Sequence, residues 1–140
     1  MEISFSFLDT RITLTEKRRL KAFIAGIFKR NKKILGSLSY VFCADEYLLA
    51  VNRRFLNHDY YTDIITFDLS ESPAVVHGEI YISADRIREN AKLLKVPLRE
   101  ELHRVIFHGA LHLCGFNDKT AKDKTAMRLE EDRNIDRYFR

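Results

Sequence analysis

The apolar positions of the chain follow two periods, and each change of period marks an element. Ile3-Ser4-Phe5-Ser6-Phe7 alternates apolar and polar side chains, the period of a half-buried strand. Leu20, Phe23, Ile24, Ile27 and Phe28 then fall at i, i+3, i+4, i+7 and i+8, which gathers them on one helix face, with Thr15 as the predicted N-cap. That stripe is core. Gly36 is expected to close the segment. Leu38 to Ala44 predicts a second strand, and Asp45 the N-cap of a short helix through Leu49 to about Arg54. Residues 57–61 are polar and aromatic and predict a loop that carries His58 and Asp59. Asp63 to Leu69 and His77 to Ser83 predict two further strands, joined through the turn Ser70-Glu71-Ser72-Pro73 as an antiparallel hairpin. His77 is expected as a strand-end histidine.

Ser83 is placed to cap a helix carrying Ile87, Ala91 and Leu94. Pro97 suits the first turn of the next one, which is expected to bury Leu98, Leu102, Val105, Ile106 and Leu113. Residues 122–139 form a charged amphipathic pattern through Met127, Ile135 and Phe139. The order predicts one α+β domain over residues 1–140, with a mixed four-stranded sheet and about five helices. Periodicity leaves the strand order open.

Composition narrows the class. A length of 140 residues supports one domain with a real core, and 31% charged residues exceeds the usual quarter or so. No apolar run approaches the roughly 20 residues of a membrane span, and Met1-Glu2-Ile3-Ser4 has no leader pattern, so no membrane association and a cytoplasmic location are expected. Cys43 and Cys114 are too few for a disulfide framework and are expected as reduced, buried thiols. The net charge of +4 is compatible with RNA, although basic runs such as Lys17-Arg18-Arg19 suit a solvated helix face equally well.

Chemistry concentrates in His108-Gly109-Ala110-Leu111-His112-Leu113-Cys114-Gly115-Phe116-Asn117-Asp118. Two histidines four apart stand about 40° apart around a helix axis, so both imidazoles can face one cation. Gly115 can end the helix in a sharp turn that returns Asp118 to the same point. Two imidazole nitrogens, one carboxylate and a position left for water make an open zinc site, so one divalent ion is expected on His108, His112 and Asp118. His103, about 140° round the helix from His108, is directed away, and Cys114 is expected in the core. The spacing is also that of metzincin-type zinc peptidases, but Gly109 stands where those enzymes keep a glutamate base. Glycine moves no proton. That leaves water held by the ion, or a carboxylate elsewhere, to do so.

With these residues in place the stretch resembles HGxLHLxGYDH, the signature of the YbeY family of metal-dependent, single-strand-specific endoribonucleases of ribosomal RNA maturation. Thr62-Asp63-Ile64-Ile65-Thr66-Phe67 is similar to the family's T-D/N-V-L-S-F strand, with Asn52 at the usual distance upstream. Gly78-Glu79-Ile80-Tyr81-Ile82 resembles its G-D-I-x-I strand, and Glu101-Leu102 its E-L before the metal helix. Two departures stand out: Asp118 replaces the family's third histidine, with Asn117 where it has Asp, and Phe55-Leu56 replaces a Tyr-Arg pair. Arg53 or Arg54 is the expected substitute for that arginine in contacting RNA. Asp63 and Glu79, in the family-like strands, are the carboxylates to consider as a base.

The resemblance implies a zinc-dependent endoribonuclease of ribosomal RNA maturation and ribosome quality control, with single-stranded RNA and the small ribosomal subunit as partners. Two other readings compete with it. One is a zinc peptidase of unusual mechanism; the other is a non-catalytic ribosome-associated factor with a structural metal.

Overall fold

The computed structural model describes residues 2–140. Strand β1 (Glu2–Phe7) is followed by helix α1 (Lys17–Arg30), β2 (Ile34–Cys43), α2 (Asp45–Leu56), β3 (Ile64–Asp68) and β4 (Val75–Ser83). Helices α3 (Ala84–Leu94), α4 (Leu98–Leu113) and α5 (Ala121–Phe139) complete the chain. The sheet order is β1-β2-β4-β3, with β1, β2 and β4 mutually parallel and β3 antiparallel at one edge. This is the expected mixed sheet of an α+β fold with five helices, and the predicted hairpin is β3–β4.

Register sorts the side chains onto two faces. Ile3, Leu38, Gly78 and then Phe5, Tyr40, Ile80 lie opposite one another across the strands, on the face that α4 covers with α1 beside it. That face holds the main core, including Leu20, Ile24, Phe28, Tyr40, Phe42, Ile80, Ile106 and Phe107. Buried Tyr40 donates its hydroxyl to the carbonyl of Ile106, 2.9 Å away, which pins α4 to the centre of the sheet. The opposite face carries Ser37, Ser39, Glu79 and Tyr81, and α2 covers only its β3–β4 end through a small cluster of Cys43, Leu48, Val51 and Ile65.

Glycine decides how closely α4 approaches. A Cβ on Gly109 would lie 2.8 Å from Ile80 Cδ1 and 3.1 Å from Ile64 Cδ1, so only glycine lets the helix settle there. The peptidase-like position is thus pressed into the sheet, and a glutamate there would point into the core.

Several local expectations are corrected. Thr15 does not cap α1: the helix starts at Lys17 after Glu16, whose φ is 52° and whose carboxylate goes instead to Arg99 at 2.9 Å. Gly36 does not close an element; it lies inside β2 at a register shift, where a Cβ would collide with the His77 ring. Asp45 is the first residue of α2 and not its cap, because its carboxylate is drawn to Ser83 Oγ (2.7 Å) and Arg86 Nε (3.0 Å). Pro97 is the N-cap of α4, and Leu98 is exposed in the first turn. Ser83 does cap α3, accepting from the Arg86 N–H at 3.2 Å. Both cysteines are buried, and burial pushes each thiol up to about 12.

Candidate metal centre and its clefts

Helix α4 ends where the sequence places its glycine. Gly115, at φ 107°, follows the C-cap Cys114. Its N–H bonds the carbonyl of His112 (3.0 Å) while Phe116 N–H bonds that of Leu111 (3.1 Å), the paired closure of a Schellman motif. This turn has two consequences for the site. It brings the Phe116 carbonyl to 3.1 Å from His112 Nδ1, and it returns Asp118 so that its Oδ2 lies 3.4 Å from His108 Nε2.

His108 is held from the other side by α5. Its Nδ1 lies 2.7 Å from Glu131 Oε2, and the second oxygen of that carboxylate is 3.3 Å from Arg104 Nη1. Arg104 in turn reaches Asp132 at 2.8 Å. Glu131 is almost fully buried and fixed between a guanidinium and an imidazole, so it sets the plane of the His108 ring. In both histidines an acceptor faces Nδ1, which assigns the proton there and leaves each Nε2 with a free lone pair. A carboxylate or carbonyl behind the ring is the usual outer support of a metal-binding imidazole. Burial opposes charge on His108, but the Glu131 hydrogen bond and the charges of Glu131, Asp118 and Asp63 outweigh it and raise its pKa.

The donor set therefore suits a divalent cation: two imidazole Nε2 atoms and the half-exposed carboxylate of Asp118. His108 and Asp118 already meet, and His112 follows one helical turn on. As they stand, no three His, Cys, Asp or Glu side chains among the described residues are drawn together tightly enough to hold an ion.

His108 and Asp118 line a cleft of about 320 Å³ with Asp63, Glu101, Arg104 and Glu131. His112 lines another, of about 490 Å³, with Lys33, Asp68 and Ser70. The histidine pair thus has one member in each cleft. Burial raises the carboxyl pKa of Asp63, against the lowering effects of His108 and of Asn90, whose Nδ2 donates to it at 3.2 Å. Burial likewise raises Glu101, which is 5% exposed and has Oε1 without a hydrogen-bond partner.

Of the other residues singled out in the sequence, Asp63 is in the site and Glu79 is not. Glu79 shares the far face of the sheet with Tyr81, whose hydroxyl donates to it, and so points away from α4. That removes it as a base. Arg53 is paired with Asp59, and Arg54 lies over the Phe55 ring at 5.3 Å; neither lines the cleft around His108. His77 is a strand histidine held by Ser37 Oγ at 2.8 Å. Glu131 and Arg104 also belong to the site, and no sequence motif marks them. Glu131 lies 23 residues beyond His108 on a helix rich in charge, so no spacing distinguishes it.

Comparison with known proteins finds relatives over nearly the whole chain. A family model described as Endoribonuclease YbeY matches residues 6–138. The chain is 48% identical over 127 residues to an endoribonuclease YbeY of Cytophaga hutchinsonii, covering 91% of this chain and 89% of the relative. It is 46% identical to one of Porphyromonas gingivalis, covering 96% and 88%. The solution structure of a Thermotoga maritima protein superposes with a TM-score of 0.63 at 22% identity, over 99% of this chain and 89% of that one, which shows the fold.

Proposed function

The chain belongs to the endoribonuclease YbeY family, and from that premise we propose that it cuts single-stranded RNA, with zinc held by His108, His112 and Asp118. The observation that carries the metal assignment is an acceptor beside each Nδ1, which in the neutral ring favours the proton there and keeps the Nε2 lone pair for a cation. When bound, such an ion supplies positive charge for a phosphoryl oxygen and makes water a better nucleophile. Everything else falls to the chain. Glu131 and the Phe116 carbonyl orient the two rings, and Arg104 keeps Glu131 in place. Asp63, buried in the His108 cleft with a raised carboxyl pKa, is placed to hold a proton and pass it on.

Single strands fit better than duplexes, because an unpaired backbone can bend from the His108 cleft to the His112 cleft while an A-form helix cannot. Lys33 in the latter and Arg128 in the former offer cations to phosphates. Family membership supports precursor ribosomal RNA of the small subunit, met in the cytoplasm, as substrate, and ribosome quality control as the setting. None of the helices is long and apolar enough to cross a membrane, among the described residues.

The packing of Gly109 on Ile80 and Ile64 counts against the peptidase reading, since its general base has no room at that position. The test is to incubate zinc-loaded and chelator-stripped protein, and the His112→Ala variant, with labelled single-stranded RNA, a matching duplex and casein. Metal-dependent cutting of the single strand alone is expected. Digestion of casein, or equal RNA cutting by the variant, overturns the proposal.

A further inference from the structure

Beside the histidine cleft runs a smaller groove, of about 200 Å³, along the outer edge of β3. It shares Thr62 and Ile64 with the cleft of His108, so the two adjoin. We propose that this groove takes unpaired bases of the RNA strand flanking the cut phosphate, with the His58–Tyr60 ring pair as their stacking platform; the inference rests on the nuclease reading above.

The platform is built. His58 and Tyr60 stack with ring centroids 5.1 Å apart and planes at 21°, and Tyr60 Oη lies 3.0 Å from His58 Nδ1. Tyr60 is nevertheless 55% exposed, so ring surface remains for a third partner. Buried Asn52 holds the loop at two points: its carbonyl accepts from His58 N–H (3.1 Å) and its Nδ2 donates to the Tyr60 carbonyl (3.0 Å). Asn57, at φ 55°, makes the left-handed turn that lets the chain leave α2 for this anchorage. Rings fixed in advance lose little entropy when a base stacks on them.

The edge strand supplies the complementary polar groups. Ser83 N–H bonds the Asp63 carbonyl, and Leu69 N–H bonds that of His77, so the odd-numbered residues of β3 face β4. Thr66 therefore turns its N–H and carbonyl outward into the groove, where base edges can pair with them. Flat ring faces and outward backbone groups match a splayed single strand, whose bases offer π-faces and polar edges.

The test measures binding of a short 2′-O-methyl RNA strand, checked by gel to be intact after the measurement, and of the same strand with abasic sites, using zinc-loaded protein. Wild type is expected to bind the base-bearing strand about tenfold more tightly than the abasic one. Tyr60→Ala should lose that preference and Tyr60→Phe should restore it, since the ring and not the hydroxyl carries stacking. Circular dichroism and zinc content of Tyr60→Ala equal to wild type locate the loss in the groove. A Tyr60→Ala variant that keeps the full preference for bases overturns the groove while leaving the nuclease reading intact. Wild type that tells the two strands apart no better than the variant, as for a groove that receives a protein segment, overturns it too. RNA that wild type neither binds nor cuts overturns the nuclease reading and the groove together.

Discussion

Two histidines five residues apart on α4 meet opposite environments. His103, in the first half, is buried against Tyr138, Phe107 and Phe139, with ring centroids 5.1, 6.0 and 5.0 Å away. Its Nδ1 bonds the Arg99 carbonyl at 2.7 Å, its Nε2 has no partner, and burial lowers its pKa. His108, in the second half, is bracketed by Glu131 and Asp118, and its pKa is raised. The residue type and the helix are the same. What differs is the second element behind the ring: an aromatic wall for one, carboxylates for the other. A histidine is suited to ligation when its Nδ1 is supported and its Nε2 opens toward a cleft; His103 has the first and His108 lines a cleft as well.

The severest way to break the contrast is to remove the open pair. His108→Ala with His112→Ala is expected to abolish zinc retention and RNA cutting together, read by metal analysis of the purified protein and by the cleavage assay. A double variant that retains its full metal content removes the assignment. Asp118 divides the contribution further. Asp118→Ala should weaken retention strongly and Asp118→His should keep much of it, while Asn117→Ala should leave it near wild type. Greater sensitivity at Asn117 would place the third ligand one residue earlier.

Support behind the ring comes next in size. Glu131→Gln keeps the shape of the side chain but removes the charge facing His108 and Arg104. Zinc affinity should fall by about 10- to 100-fold, measured by competition with a chelator of known affinity. An unchanged affinity means that Glu131 serves only to tie α5 to α4. Gly109→Ala tests packing and not chemistry: its Cβ would stand 2.8 Å from Ile80 Cδ1, so a loss of about 1–3 kcal/mol in urea unfolding is expected. Adding Ile80→Val, which trims the Cδ1 that the new Cβ meets, should recover part of it.

These contrasts also explain what was legible in the sequence. The histidine spacing and Gly115 are local signals, because a helix and its terminating turn relate residues a few positions apart. Of those residues, His108 meets Asp118, while His112, supported by the turn, lines the neighbouring cleft. The hairpin and the amphipathic helices were readable for the same reason. Strand order was not, since the placing of β4 between β2 and β3 is a long-range choice. Glu131 and Arg104 are recognisable only once α5 packs on α4. Glu79 misled for a related reason: its strand motif is local, but which face it shows depends on the register with β2 and β3. Asp45 and Thr15 failed as caps because tertiary partners claimed the nearby polar groups: Ser83 and Arg86 for the Asp45 carboxylate, Arg99 for that of Glu16.

The smallest expected effect belongs to His103, and its sign follows from linkage. A histidine whose folded pKa lies below the usual 6.5 takes up its proton more readily in the unfolded chain. Its contribution to stability is complete above 6.5 and is lost as the pH falls from there through the lowered value. The causes are burial first, then Arg99 on its own helix and Arg19 on α1, opposed by the Arg99 carbonyl and Glu16. Asp63 and Glu101, raised by burial, act in the opposite direction, because they bind protons more readily when folded. Their effect is common to wild type and variant and cancels in the difference. His103→Phe keeps an aromatic ring against Tyr138 and removes a buried nitrogen that has no partner, at the cost of the bond to Arg99. The Tm of wild type should therefore fall more steeply than that of the variant between about pH 7 and about pH 5. Parallel Tm curves over that range would mean that His103 does not report the burial it is given, and the contrast with His108 would then rest on geometry alone.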